Sequence, residues 1–165
     1  MSAADAQTLE FLSKSPEQTR ASGSRLGSAL RAGDLICLQG ELGAGKTTFV
    51  QGLALGWGSL DSVSSPTFIL VNVYRRVDGA QLFHLDAYRL ESAAEAEELD
   101  LESMLAQGAL IVEWPARLGN LISVDRLWID FEHVDEEHRQ LRFKARGARH
   151  DDLLGEIRQA VIEAA

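Results

Sequence analysis

A three-layer α/β fold, with a mixed sheet that is parallel at its core and carries antiparallel hairpins, is predicted by three observations. Two short runs are apolar at every position, Leu35-Ile36-Cys37-Leu38 and Ala109-Leu110-Ile111-Val112. Such runs belong to strands covered by helices on both faces. Directly after the first run, Gly40-Glu41-Leu42-Gly43-Ala44-Gly45-Lys46-Thr47 matches G-x-x-x-x-G-K-[ST] in full, the phosphate-cradling loop that joins strand to helix in P-loop NTPases. Elsewhere, paired strand-like segments meet at Asp78-Gly79 and at Asp135-Glu136-Glu137, and read as hairpins.

Thr8 to Leu12 is a short strand candidate. Ser15-Pro16-Glu17-Gln18 opens a helix: Ser15 caps, Pro16 suits the first turn and Gln18 completes a capping box. Leu26, Ala29 and Leu30 form its apolar stripe, and Gly33 is the expected stop. After the glycine loop a helix begins at Gly45, with Phe49, Val50, Leu53, Ala54 and Trp57 on one face and Gly56 and Gly58 marking its end. Thr67 to Val77, the Asp78-Gly79 turn and Leu82 to Leu85 form an antiparallel ribbon. Ser92 to Gln107 is helical in composition, and the acidic run Glu91, Glu95, Glu97, Glu98, Asp100 and Glu102 reads as a solvated face before a docking surface for a basic partner. In the last hairpin, Arg126 to Val134 against His138 to Arg146, a three-residue loop sets Ile129 opposite Phe143 and Asp130 opposite Arg142. A final helix carries Leu153, Leu154, Ile157 and Val161 as its buried stripe. With no repeat or linker, residues 1–165 are expected to form a single domain.

Composition narrows the function. At 165 residues the chain can bury roughly two thirds of its extended surface. A net charge of -9 argues against a surface that holds nucleic acid tightly, so any link to RNA is expected to run through a partner. The lone Cys37 sits in a central strand and points to a reducing cytoplasm and an inert thiol. The opening Met1-Ser2-Ala3-Ala4-Asp5 shows no basic and apolar tract, and no 18-residue apolar run occurs, so neither signal peptide nor membrane span is expected.

Glycines at 40, 43 and 45 free the backbone N–H groups to turn onto phosphate oxygens. Lys46 supplies a charge for the outer phosphates, and Thr47 a hydroxyl for Mg²⁺. Hydrolysis needs carboxylates as well, one near the metal and one to orient water. Asp86 ends Leu82-Phe83-His84-Leu85 and Glu113 ends Leu110-Ile111-Val112, the strand ends where an open α/β sheet presents such groups. Asp86 is assigned to Mg²⁺, and Glu113 to the attacking water with a possible metal contact. An acid past a strand also serves as an ordinary turn cap, and that reading stays open for each. Thr67, after Ser65-Pro66, could sense the γ-phosphate or simply start a strand. His84 reads as a core residue or a support for a ligand before a ligand itself. Trp114 stands beside the proposed site. Arg75, Arg76, Arg89 and Arg117 are candidates for charge stabilisation, with nothing to choose among them.

Four segments together resemble one family, the bacterial TsaE proteins. They are Gly40 to Thr48, Ser65-Pro66-Thr67-Phe68, His84-Leu85-Asp86-Ala87-Tyr88-Arg89-Leu90 and Ile111-Val112-Glu113-Trp114-Pro115. The resemblance implies a P-loop ATPase that takes ATP and Mg²⁺ and works with two partner subunits, TsaB and TsaD, in making threonylcarbamoyladenosine in tRNA. It implies a nucleotide-binding set of Gly40, Glu41, Leu42, Gly43, Ala44, Gly45, Lys46, Thr47 and Thr48 with Thr67. It also implies metal ligands Thr47, Asp86 and Glu113, and a catalytic group of Glu113, Lys46 and Asp86. The family usually continues Glu-Trp-Pro with a second glutamate, whereas this chain has Ala116. Hydrolysis is expected to survive on Glu113. A small-molecule kinase of the shikimate-kinase type is the main rival, yet no Arg-rich lid is evident and a β-ribbon stands where its substrate helices belong. A GTPase is disfavoured by the lack of Asn-Lys-x-Asp. A nucleotide-gated binding module with negligible turnover remains a non-enzymatic alternative.

Overall fold

The two kinds of strand pattern, continuous and alternating, have one cause: how many faces of each strand are covered. The computed structural model describes residues 7–41, 43–63 and 71–164. In chain order it contains β1 (Thr8–Ser13), α1 (Pro16–Ala29), β2 (Leu35–Gln39), α2 (Lys46–Trp57), β3 (Val71–Arg75), β4 (Gln81–Asp86), α3 (Ala93–Glu97), α4 (Leu101–Gln107), β5 (Gly108–Glu113), β6 (Arg126–His133), β7 (Arg139–Arg146) and α5 (Ala148–Ala164). The sheet order is β1-β7-β6-β2-β5-β4-β3. Strands β6, β2, β5 and β4 run parallel at the centre, and β7 and β3 turn back antiparallel beside them.

Along β2, Ile36 and Leu38 join a core shared with α1, α2 and α5, while Leu35 and Cys37 join a second core on the opposite face with α3 and α4. Strand β5 divides the same way, so both read as continuous apolar runs. Strand β6 buries Leu127, Ile129 and Phe131 on the first face only. β7 does the same with Leu141, Phe143 and Ala145, and these two strands alternate. Ile129 pairs with Phe143 and Asp130 with Arg142, the register expected from the loop length. Cys37 is fully buried, and burial pushes its thiol up to about 12.

Three sequence boundaries are corrected. Helix α1 ends at Ala29 rather than Gly33, because Leu30 turns extended with its N–H on the Gly27 carbonyl at 3.2 Å. Gly33 instead takes φ +95 in the turn into β2. Gly56 lies inside α2, which stops at Trp57 with Gly58 as its left-handed cap. Its role is contact: a Cβ on Gly56 would lie 2.0 Å from the Ser24 carbonyl, and one on Gly27 2.0 Å from that of Leu53. Glycines four residues apart on each helix, 23 and 27 on α1 and 52 and 56 on α2, thus bring the two backbones together. The third boundary is in Ser92 to Gln107, which forms two short helices broken at Asp100 (φ +50), whose carboxylate caps α4 through the Ser103 N–H. The break lays both Leu99 and Leu101 on the second core. Among the described residues no helix is long and apolar enough to cross a membrane.

The start of β2 is tied to α5. The Leu35 N–H donates to His150 Nε2 at 3.1 Å, so Nδ1 carries the proton and donates to the Arg146 carbonyl at 3.2 Å. Burial holds the ring's pKa below 6.5, outweighing the opposing pull of Asp34 and Asp125. Below pH 6.5 the unfolded chain takes up a proton that the folded ring resists. Stability therefore falls as pH drops from 6.5 toward the folded pKa, and levels off beneath it. His150→Gln is expected to flatten this part of the Tm profile between pH 7 and about 5. Parallel Tm profiles for the two proteins would remove His150 from that role.

Candidate functional site

Strand β2 lies at the middle of the sheet, so the loop leaving its C-terminal end emerges between β6 and β5. Gly40 turns the chain there against β6: a Cβ on it would stand 2.6 Å from the Phe131 carbonyl. Gly43 (φ +81) and Gly45 (φ +104) hold left-handed backbone that favours glycine. Gly45 caps α2 without a side chain, and no acid occupies the first turn. The helix N-terminus is therefore left as an anion-binding end. Leu42 lies outside the described residues, as do Ser65, Pro66 and Thr67.

Lys46 is only 5% exposed. Its Nζ donates to the Gly40 carbonyl at 2.6 Å and lies 3.8 Å from the centroid of the Trp114 ring. Burial lowers its pKa, while Glu113, Asp86 and Glu41 oppose that shift. Those carboxylates are near for a topological reason. Asp86 pairs in register with Glu113 at the parallel ends of β4 and β5, and Glu113 pairs with Leu38 of β2. By strand alternation His84, Asp86 and Glu113 all face the side on which α2 packs.

Glu113 is held by a short polar contact, with its Oε2 2.6 Å from His84 Nε2. Burial alone would raise its pKa, but the His84 hydrogen bond and the nearby Lys46 charge leave it below the usual carboxylate value. Asp86 is partly a turn cap, with Oδ1 accepting from the Tyr88 N–H at 3.0 Å. Arg89 approaches its other oxygen at 3.9 Å. Thr47 is exposed on the first turn of α2, and Thr48 is half-buried.

Past Glu113 the chain turns sharply. Trp114 adopts φ +58, a conformation uncommon for a bulky residue, with its N–H on the Leu38 carbonyl at 3.0 Å. The turn delivers its ring to Lys46, with Tyr88 against it at 5.0 Å and Arg117 over Tyr88 at 4.9 Å. Ala116 is exposed on the same turn. The fold also separates the arginines. Arg75 and Arg76 pair with Asp61 and Asp78 at the opposite end of the β3–β4 ribbon, so they are removed from the charge-stabilising candidates, and Arg89 and Arg117 stay.

Two residues at the site went unread in the sequence. Arg139, at the start of β7, donates from Nε to the Gly43 carbonyl at 3.2 Å and from NH1 to the carbonyls of Asp135, Glu136 and His138. No local signal marks it, because its contact crosses from the last hairpin to the glycine loop. Tyr74 places its hydroxyl 2.9 Å from His84 Nδ1. Counting register back from the Asp78-Gly79 turn puts it on the same ribbon face as His84.

The family model described as "Threonylcarbamoyl adenosine biosynthesis protein TsaE" matches residues 13–141. The chain belongs to the TsaE family. A Bacillus subtilis relative, "tRNA threonylcarbamoyladenosine biosynthesis protein TsaE", is 36% identical over 151 residues, covering 90% of this chain and 93% of the relative. A Streptomyces coelicolor TsaE of the same description is 47% identical over 107 residues, 64% of this chain and 72% of its own. The crystal structure of Bacillus subtilis YdiB superposes with a TM-score of 0.76 at 30% identity, over 93% of this chain and 95% of that one. The fold is thus the P-loop NTPase-like α/β fold of this TsaE-family neighbour, with the glycine loop at the centre of the sheet.

Proposed function

We propose that this TsaE-family chain binds ATP with Mg²⁺ at the loop from Gly40 to Thr48 and hydrolyses it, working with TsaB and TsaD in threonylcarbamoyladenosine modification of tRNA. The observation that carries this reading is the convergence of Lys46, Asp86 and Glu113 at the aligned ends of β2, β4 and β5. The bare N-terminus of α2 and the Lys46 ammonium suit the phosphates. Oxygen donors from Thr47, Asp86 and Glu113 suit Mg²⁺, which characteristically takes one or two protein carboxylates and completes its shell with phosphate and water. When bound, the ion would neutralise charge on the phosphate oxygens. Glu113, held ionised, would accept a hydrogen bond from the attacking water and fix its direction. Lys46 would draw the outer phosphates toward that water.

Phosphate release from ATP, measured with Mg²⁺ and with or without purified TsaB–TsaD, tests the reading. Release is expected, and so is a rise on adding the partners. If the partners neither bind nor stimulate, and a small-molecule acceptor becomes phosphorylated instead, the kinase reading replaces this one.

A further inference from the structure

We propose that Tyr74 and His84 form a positioning relay that orients Glu113, so that His84 sets the rate of ATP hydrolysis without touching ATP. The inference rests on the ATPase reading and concerns the same site. Three strands supply one residue each. Tyr74 stands on β3, His84 on β4 and Glu113 on β5, and the contacts run diagonally across the sheet, since the in-register partners are Asn72 with His84, His84 with Ile111, and Asp86 with Glu113. Tyr74 is 3% exposed and His84 3%. The ring nitrogens contact the Tyr74 hydroxyl at 2.9 Å and Glu113 Oε2 at 2.6 Å.

Proton placement follows from the acceptor. An ionised Glu113 can only accept, so His84 Nε2 carries the hydrogen and donates. Nδ1 is left facing the Tyr74 hydroxyl, and the two contacts together fix the ring plane. With Oε2 engaged, the carboxylate's rotation is fixed. Oε1 is then the oxygen that would accept from water. A carboxylate held by a buried, doubly bonded ring is preorganised in the way that supporting partners orient metal ligands and catalytic groups.

The experiment is single-turnover ATP hydrolysis with nucleotide affinity measured in parallel, on wild type, His84→Ala, His84→Gln, Tyr74→Phe, Glu113→Ala and the His84→Ala/Glu113→Ala double variant. His84→Ala is expected to slow turnover by about tenfold to a hundredfold, with affinity within about threefold. His84→Gln keeps a donor and should recover part of the rate. Tyr74→Phe removes one hydroxyl and leaves the ring's packing, so it reads the relay even if His84→Ala folds poorly; its expected loss is about twofold to tenfold. The double variant should be no slower than Glu113→Ala alone, because His84 acts through that carboxylate. Wild-type turnover in both His84→Ala and Tyr74→Phe overturns the relay. So does an equal loss from His84→Ala in the presence and absence of Glu113, or a His84→Gln no faster than His84→Ala. A wild-type protein that releases no phosphate, even with the partners, overturns the ATPase reading itself.

Discussion

Glu113→Ala is expected to slow ATP turnover by at least about a hundredfold while nucleotide binding is preserved, the pattern of a group whose main contribution is made in the transition state. The carboxylate has no place in the phosphate cradle. It stands one strand away, on β5, and its neighbours keep it charged at neutral pH. The alanine variant also strips His84 Nε2 of its acceptor inside a nearly buried pocket, which costs about 1–3 kcal/mol of stability. Glu113→Gln separates the two effects. Its amide oxygen still accepts from His84, so the fold should hold, yet it lacks the charge that orients water and should be nearly as slow. Turnover at the wild-type rate in either variant removes Glu113 from its role.

Lys46→Ala should weaken ATP binding by at least about tenfold, the value of a charge-assisted hydrogen bond to phosphate, and leave no measurable turnover. The ammonium is held in advance by the Gly40 carbonyl and the Trp114 face, so it has little conformational freedom to lose when phosphate arrives. The same contact gives an optical check. Removing the cation from the Trp114 ring should change tryptophan emission in the nucleotide-free protein, and ATP should no longer alter it through Lys46. Calorimetric titration measures the affinity directly. Unchanged affinity and turnover would sink the phosphate-loop assignment.

Local chemistry made several elements legible in the chain alone. Strands β2 and β5 announce themselves as runs without a polar residue because both faces are covered, and β6 and β7 alternate because one face is not. Ser15 and Pro16 start α1 where the pattern placed them. Register across the last hairpin followed from a three-residue loop, because side chains on a strand repeat every second residue and a one-residue slip would invert the faces. The misread boundaries share a cause. Gly33 and Gly56 were taken as stops by residue type, while Leu30 ends α1 and, of the two glycines read at the end of α2, Gly58 alone does the terminating. Asp100 broke a helix whose composition favoured continuity, since leucines on both sides of it gain burial by the kink.

The sequence by itself determined the parts of the candidate site that are contiguous or lie at strand ends: the loop from Gly40 to Thr48, Asp86, Glu113 and the family they mark. Their chemistry depends on residue type and short spacing, which a chain carries without folding. Only the tertiary structure decided which of them meet. It aligned Asp86 with Glu113, drew both toward Lys46, retired Arg75 and Arg76 to the far end of the ribbon, and brought in Arg139 and Tyr74. Those relations arise from strand order and from diagonal contacts between neighbouring strands. Sequence distance does not encode them, because a sheet places side by side whichever strands bury the most apolar surface together.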